Sequence, residues 1–269
     1  MSVRVLILDP SSASASVRHW EPAGADVAVV GPQGGPGAAR ALRGAERVVL
    51  LHRPNDAKAA GYLANVVSGA LPSTAVVRLA APSSLLAAAI VALETVRSAA
   101  DDDGAVLSRL RQTLALTHSG LWARRVTRLT SPSPSFGQHL RSLWPWGQGF
   151  LAYVGPEARV QQLRAGQAPA QTAGCQLVVG APAGKDVSPL TSWWSGQAGA
   201  AAVVPPLPPI VESTRAAYGN DGVEFVLLHP QLAEPRPAGT RCPVCRVPVR
   251  GRACPFCHVV PRALEVGRA

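Results

Sequence analysis

The chain has 269 residues, a net charge of +10 and 47% hydrophobic residues, which allows a packed core and excludes a wholly disordered chain. Its longest apolar stretch, Leu85 to Leu93, stops at Glu94. That is less than half of the ~20 residues a membrane helix needs.

The charge points less to nucleic acid than its size suggests. Only Lys58 and Lys185 of the 26 basic residues are lysine, and Ala, Gly, Pro, Val and Arg dominate. That bias indicates a GC-rich, actinobacterial type of genome, in which an arginine excess needs no acidic partner. The apolar run after Met1 is too short for a secretory signal, so a cytoplasmic protein is expected.

Four short apolar runs open the chain: Val3 to Leu8, Val27 to Val30, Val48 to Leu51 and Ala75 to Leu79. Segments with helical patterns lie between and after them, at Ser12 to Trp20, Gly37 to Arg43, Asp56 to Val67 and Ser84 to Ser98. Alternation of this kind predicts βαβ units and a doubly wound, mainly parallel sheet, Rossmann- or flavodoxin-like, over residues 1–130. Ligands of such sheets sit at the carboxyl ends of the strands. Those ends carry Asp9, the loop Gly31 to Gly37, His52, Asp56 and Ser83. Asp9, His52 and Asp56 are therefore the candidates for catalysis, with His52 as base. The glycine loop lacks the G-x-G-x-x-G spacing and reads as a turn.

Asp9 at the end of the first strand, His52 at the end of the third and Ala80-Ala81 after the fourth faintly resemble a response-regulator receiver domain. In that family an aspartate stands at the place of His52 and a hydroxyl residue near Ala80. The resemblance implies a degenerate receiver that binds partners without phosphorylation.

Gly104 to His118 reads as a helix after an acidic run. Gly120 then suits the turn of a helix-turn-helix that would present Arg124, Arg125 and Arg128 to a nucleic-acid groove. A strand over Val126 to Thr130 is the other reading. Residues 131–228 form a second, mixed α/β region. It holds a helix over Phe136 to Leu143, a hairpin over Phe150 to Leu163, and strands at Gln176 to Val179, Ala200 to Val204 and Glu224 to Leu228. Trp144 and Trp146 are expected to cap a core. Gly180 to Asp186 lacks the spacing and the hydroxyl of a phosphate loop. Cys175 reads as a buried thiol.

Residues 229–241 form a proline-rich linker to a last module over residues 242–269. There Cys242-Pro-Val-Cys245 and Cys254-Pro-Phe-Cys257 are two Cys-x-x-Cys pairs eight residues apart. Four thiolates at this spacing suit a tetrahedral structural Zn2+ with no position open to water. The segment resembles the short four-cysteine zinc ribbons of bacterial proteins. Many of those carry glycine after the second cysteine of each pair, where this chain has Arg246 and His258. Arg246, Arg250 and Arg252 surround the ligands and are further candidates for phosphate contact.

Three functions follow from this reading. The one it favours is a non-catalytic adaptor or assembly protein, with the zinc ribbon docking a protein partner. A nucleic-acid-binding regulator using the ribbon arginines is the alternative, and an enzyme at the carboxyl edge of the first sheet is the third.

Overall fold

In the computed structural model, residues 3–15, 17–19, 27–98, 102–144, 147–164, 172–197, 202–229, 240–250 and 252–260 are described. Trp146 and most of the linker over residues 230–239 lie outside them.

The first lobe runs β1 (Val3–Leu8), β2 (Val17–His19), β3 (Val27–Val30), α1 (Gly35–Ala41), β4 (Arg47–His52), α2 (Ala57–Ala70), β5 (Ala75–Ala80) and α3 (Leu85–Ser98). Its sheet has the order β2-β3-β1-β4-β5, parallel except for the edge strand β2. Successive strand residues point to opposite faces. Leu6, Leu8, Val48 and Leu50 pack on one side with Leu42, next to α1, and with Leu63 and Val67 of α2. Val5, Ile7, Val49 and Leu51 pack on the other side with α3. This is the doubly wound pattern expected from the near-continuous apolar strands. The helix expected over Ser12 to Trp20 is not formed, and Val17–His19 adds the edge strand instead. The glycine loop serves close packing. A Cβ at Gly31 would lie 2.5 Å from the Ser12 carbonyl oxygen, and one at Gly37 would lie 2.8 Å from that of Ala15.

α4 (Asp103–Leu116), capped by the Asp102 side chain, leads to the second lobe. That lobe comprises β6 (His118–Ala123), α5 (Phe136–Ser142), β7 (Phe150–Gly155), β8 (Arg159–Gln162), β9 (Gln176–Gly180), α6 (Ser188–Ser195), α7 (Thr214–Tyr218) and β10 (Val223–Leu228). Its sheet has the order β8-β7-β6-β10-β9, and each of the four pairings is antiparallel. Residues 118–123 thus belong to the second sheet. The helix-turn-helix expected around Gly120 is replaced by a strand. Gly120 is small because β7 passes close by: a Cβ there would come within 2.0 Å of the Ala152 carbonyl oxygen. Val126 to Leu129 form no strand, and Val203 contributes only an isolated bridge to Leu177. Trp122, Tyr153, Phe225 and Leu227 face α6 and its Trp193 and Trp194. Val178 and Val226 face the layer that holds α3.

α3 is the element the two lobes share. It is apolar all round, as a helix enclosed on every side must be. Ten of its residues, from Leu85 to Leu93 together with Thr95, are buried. Trp144 caps no core, being 71% exposed. No helix among the described residues is long and apolar enough to cross a membrane.

β11 (Thr240–Arg241) and β12 (Pro248–Val249) form a small hairpin that frames the first cysteine pair. The hairpin does not project as a docking tip. Cys242, Val247, Val249, Cys254 and Phe256 join the core cluster of α3 and α4. Arg47 at the start of β4 donates to the Cys245 carbonyl at 3.1 Å and lies over the Phe256 ring. Arg250 pairs with Asp102, and a Cβ on Gly104 would reach 2.3 Å from the Pro248 carbonyl oxygen.

Candidate functional site: the seam between two sheets and a cluster of four thiols

The carboxyl ends of β1 and β4, the amino end of α3, and α7 with β10 meet in a buried polar seam. Asp9 is fully buried there. It accepts from the Ser11 hydroxyl and amide, pairs with Arg18 at 2.7 Å and receives the Glu212 backbone N–H at 3.1 Å. Ser213 N–H donates to Ser11, and Ser84 N–H donates to the Ser119 hydroxyl at 3.0 Å. These bonds tie the lobes together.

Glu224 of β10 is the centre of the seam and is 1% exposed. Its Oε1 accepts from the Leu85 backbone N–H at 3.0 Å and from the Tyr218 hydroxyl, and its Oε2 accepts from Leu86 N–H at 3.1 Å. The positive end of the α3 dipole favours a carboxylate at this place. Arg53, which follows β4, lies 4.4 Å over the Tyr218 ring and donates to the Ala217 carbonyl. Its Nη2 stands 3.9 Å from Glu224. Nε and Nη2 of Arg53, and Oδ2 of Asp56, are buried without a hydrogen-bond partner. Desolvation pushes the Glu224 carboxyl above its ordinary range, against the opposing effect of Arg53, Tyr218 and the two helix N–H groups. Desolvation likewise raises Asp56, against Arg53 and His52.

Topology placed Asp9, His52 and Asp56 at one sheet edge, and the structure puts them there. The contacts of Asp9 and His52 are structural in kind. His52 Nδ1 meets the Arg53 carbonyl at 2.7 Å, and Asp9 is spent on the bonds between the lobes. Sequence reasoning missed Arg53, Tyr218 and Glu224. The signal for Glu224 was a single acid inside the apolar run Val223-Glu-Phe-Val-Leu-Leu228.

The arginines considered for nucleic acid divide between two places. Arg124 and Arg125 line a hollow of about 380 Å³ with Lys185, Asp186, Asn220 and Asp221, and Arg128 lies on the same exposed loop. Arg124 pairs with Asp186 at 3.1 Å, so the hollow carries both signs of charge. Arg246 and Arg252 are exposed on the cysteine hairpin, and Arg250 is held by Asp102.

The four cysteines come together as their spacing predicts. The ligand atoms of Cys242, Cys245, Cys254 and Cys257 all lie within 4.8 Å of one another. The two turns repeat the same bonds. Arg246 N–H donates to the Cys242 carbonyl and His258 N–H to that of Cys254, while Cys242 and Cys254 N–H donate to the carbonyls of Val247 and Val259. Arg246 (φ 61°) and His258 (φ 57°) take up the left-handed conformation that glycine adopts without cost. Replacing either by glycine is expected to stabilise its turn by about 1 kcal/mol. A higher melting temperature of Arg246→Gly and His258→Gly would register the gain.

No model of a known family matches the chain, and no curated protein matches it by sequence. Solved structures do match. A DegV family protein, Cg2579 from Corynebacterium glutamicum, aligns with a TM-score of 0.59 at 14% identity, covering 87% of this chain and 98% of its own. The chain has the DegV fold. A second similar structure is the Streptococcus pneumoniae Fatty Acid Kinase (Fak) B3 protein loaded with linoleic acid. Its TM-score is 0.53 at 10% identity, with 85% of this chain and 99% of that chain covered. Neither is a receiver domain or a zinc-ribbon protein. These likenesses overturn the adaptor reading, in which a Rossmann-like body merely supported a ribbon for protein–protein interaction. The body is a two-sheet DegV fold, and the cysteine hairpin is packed into it.

Proposed function

We propose that this chain takes up a long-chain carboxylic acid between its two sheets, and that its four cysteines hold a structural zinc ion. The observation that carries the first part is the seam. Two donors of Arg53 are sealed there without acceptors, beside the amino end of α3, next to an apolar layer. Burying such donors is costly unless an acceptor reaches them, and a carboxylate matches the guanidinium fork. Behind that head group an alkyl chain would meet Leu86 and Ile90 of α3 and Val178 and Val226 of the second sheet. The linoleic acid bound by the similar S. pneumoniae protein supports this class of ligand.

For the metal, the four sulfurs fit a tetrahedral dication and leave no ligand position for water. A closed site of that kind supplies folding free energy rather than catalysis.

Titration of delipidated protein with linoleate tests the ligand. Saturation at about a hundred times Kd contributes roughly 2.7 kcal/mol. For a chain of this size that raises the melting temperature by about 5–10 °C. An unchanged melting temperature with linoleate and with palmitate would refute the reading.

A further inference from the structure

We propose that Glu224 is a resident stand-in for the ligand's carboxylate: an acid entering the seam takes its place at the amino end of α3, so that Glu224 sets how tightly acids are held. This rests on the reading of the seam as the site of a carboxylic acid.

The start of α3 is already capped without Glu224. The Ser84 hydroxyl accepts from Ala87 N–H at 3.1 Å, and the Ser84 carbonyl accepts from Ala88 N–H. A capping serine satisfies one of the four N–H groups that a helix start leaves open. What remains is a pair of adjacent donors, the N–H groups of Leu85 and Leu86, pointing into the seam at the positive end of a 14-residue helix. Glu224 delivers a carboxylate to that pair from a strand of the other lobe, with both oxygens engaged.

A strand position facing an apolar layer ordinarily holds an apolar residue. Val226 on the same strand and Val178 on its neighbour do so in this layer. A buried carboxylate is tolerated only where donors surround it, and here Leu85, Leu86 and Tyr218 supply them with Arg53 nearby. The receptor is thus built for a carboxylate, and a fatty acid offers the same two oxygens. Because the receptor is sealed, a ligand acid must move Glu224 aside or find it neutralised. Arg53 Nε and Nη2, which lack acceptors while Glu224 is seated, then complete the binding of whichever carboxylate remains.

The test compares wild type, Glu224→Gln and Glu224→Ala for binding of linoleate and of methyl linoleate. Removing the competing charge is expected to tighten linoleate binding by at least about tenfold, with the larger gain in Glu224→Ala. The methyl ester, which has no charge to place, is expected to change by less than about twofold. If linoleate binds the wild type and gains nothing in any variant, the stand-in is refuted and the binding reading survives. Equal gains for ester and acid would also refute it, since loosening of the fold would then explain both. If the wild type binds no acid and Glu224→Ala does, uptake by the wild-type chain is refuted, and so is displacement of Glu224 by an entering acid. Failure of every form to bind linoleate overturns both readings.

Discussion

Replacing Cys254 by serine is expected to lower the melting temperature of the whole chain, not of the hairpin alone. The hairpin has no core of its own. Val247, Val249 and Phe256 are buried in the same cluster as α3 and α4, and Cys254 is fully buried beside them. Without the fourth thiol the four-sulfur cluster that joins the two turns is broken, and those apolar side chains lose their fixed positions against α4. Removing such packing costs on the order of 3 kcal/mol. In a chain of this length that is a fall of roughly 6–12 °C in one transition. Differential scanning calorimetry of wild type and variant, with zinc content measured beside it, checks this. An early, separate transition with an unchanged main one would show that the hairpin folds independently of the body.

The second large effect belongs to Arg53. Changing it to alanine leaves the Glu224 carboxylate buried with no nearby cation and removes the stacking on Tyr218. Breaking a buried pair from one side destabilises by about 3 kcal/mol or more. The sign with pH follows from linkage. Burial already raises the Glu224 carboxyl above its unfolded value, and loss of Arg53 raises it further. A group raised in this way binds its proton more readily in the folded chain. The penalty is therefore absent below the ordinary glutamate range and grows as pH rises through the folded value. Urea unfolding of Arg53→Ala should show a deficit that widens from pH 5 to pH 8. Adding Glu224→Gln to it should flatten that slope and recover part of the loss. Additive effects of the two changes would mean that the residues do not act on each other.

How much of this was legible in the sequence depends on the distance between partners. The four cysteines were legible because thiolate spacing alone restricts what they can hold. The first lobe was legible because its strands are continuous apolar runs divided by helical segments. β2 was not, since three residues at a sheet edge carry no periodicity, and their strand character comes from pairing with β3. Gly120 misled because a glycine in a strand looks like a turn until the close approach of Ala152 is known. Trp144 misled because an exposed tryptophan is written the same way as a buried one. The seam was hidden for a different reason. Glu224 meets Leu85 and Leu86 across about 140 positions of sequence, and nothing local to Val223–Leu228 names those partners.

The sharing of α3 has a consequence for how the chain is made. The first sheet and α3 leave the ribosome together, but β9 and β10, which cover the other side of α3, follow roughly 80 to 130 residues later. At translation rates of about 5–20 residues per second, that interval lasts several seconds to half a minute. For that time the nascent first lobe displays a wide greasy surface that its own later half will cover. Until β9 and β10 arrive, that surface is open to association with other chains.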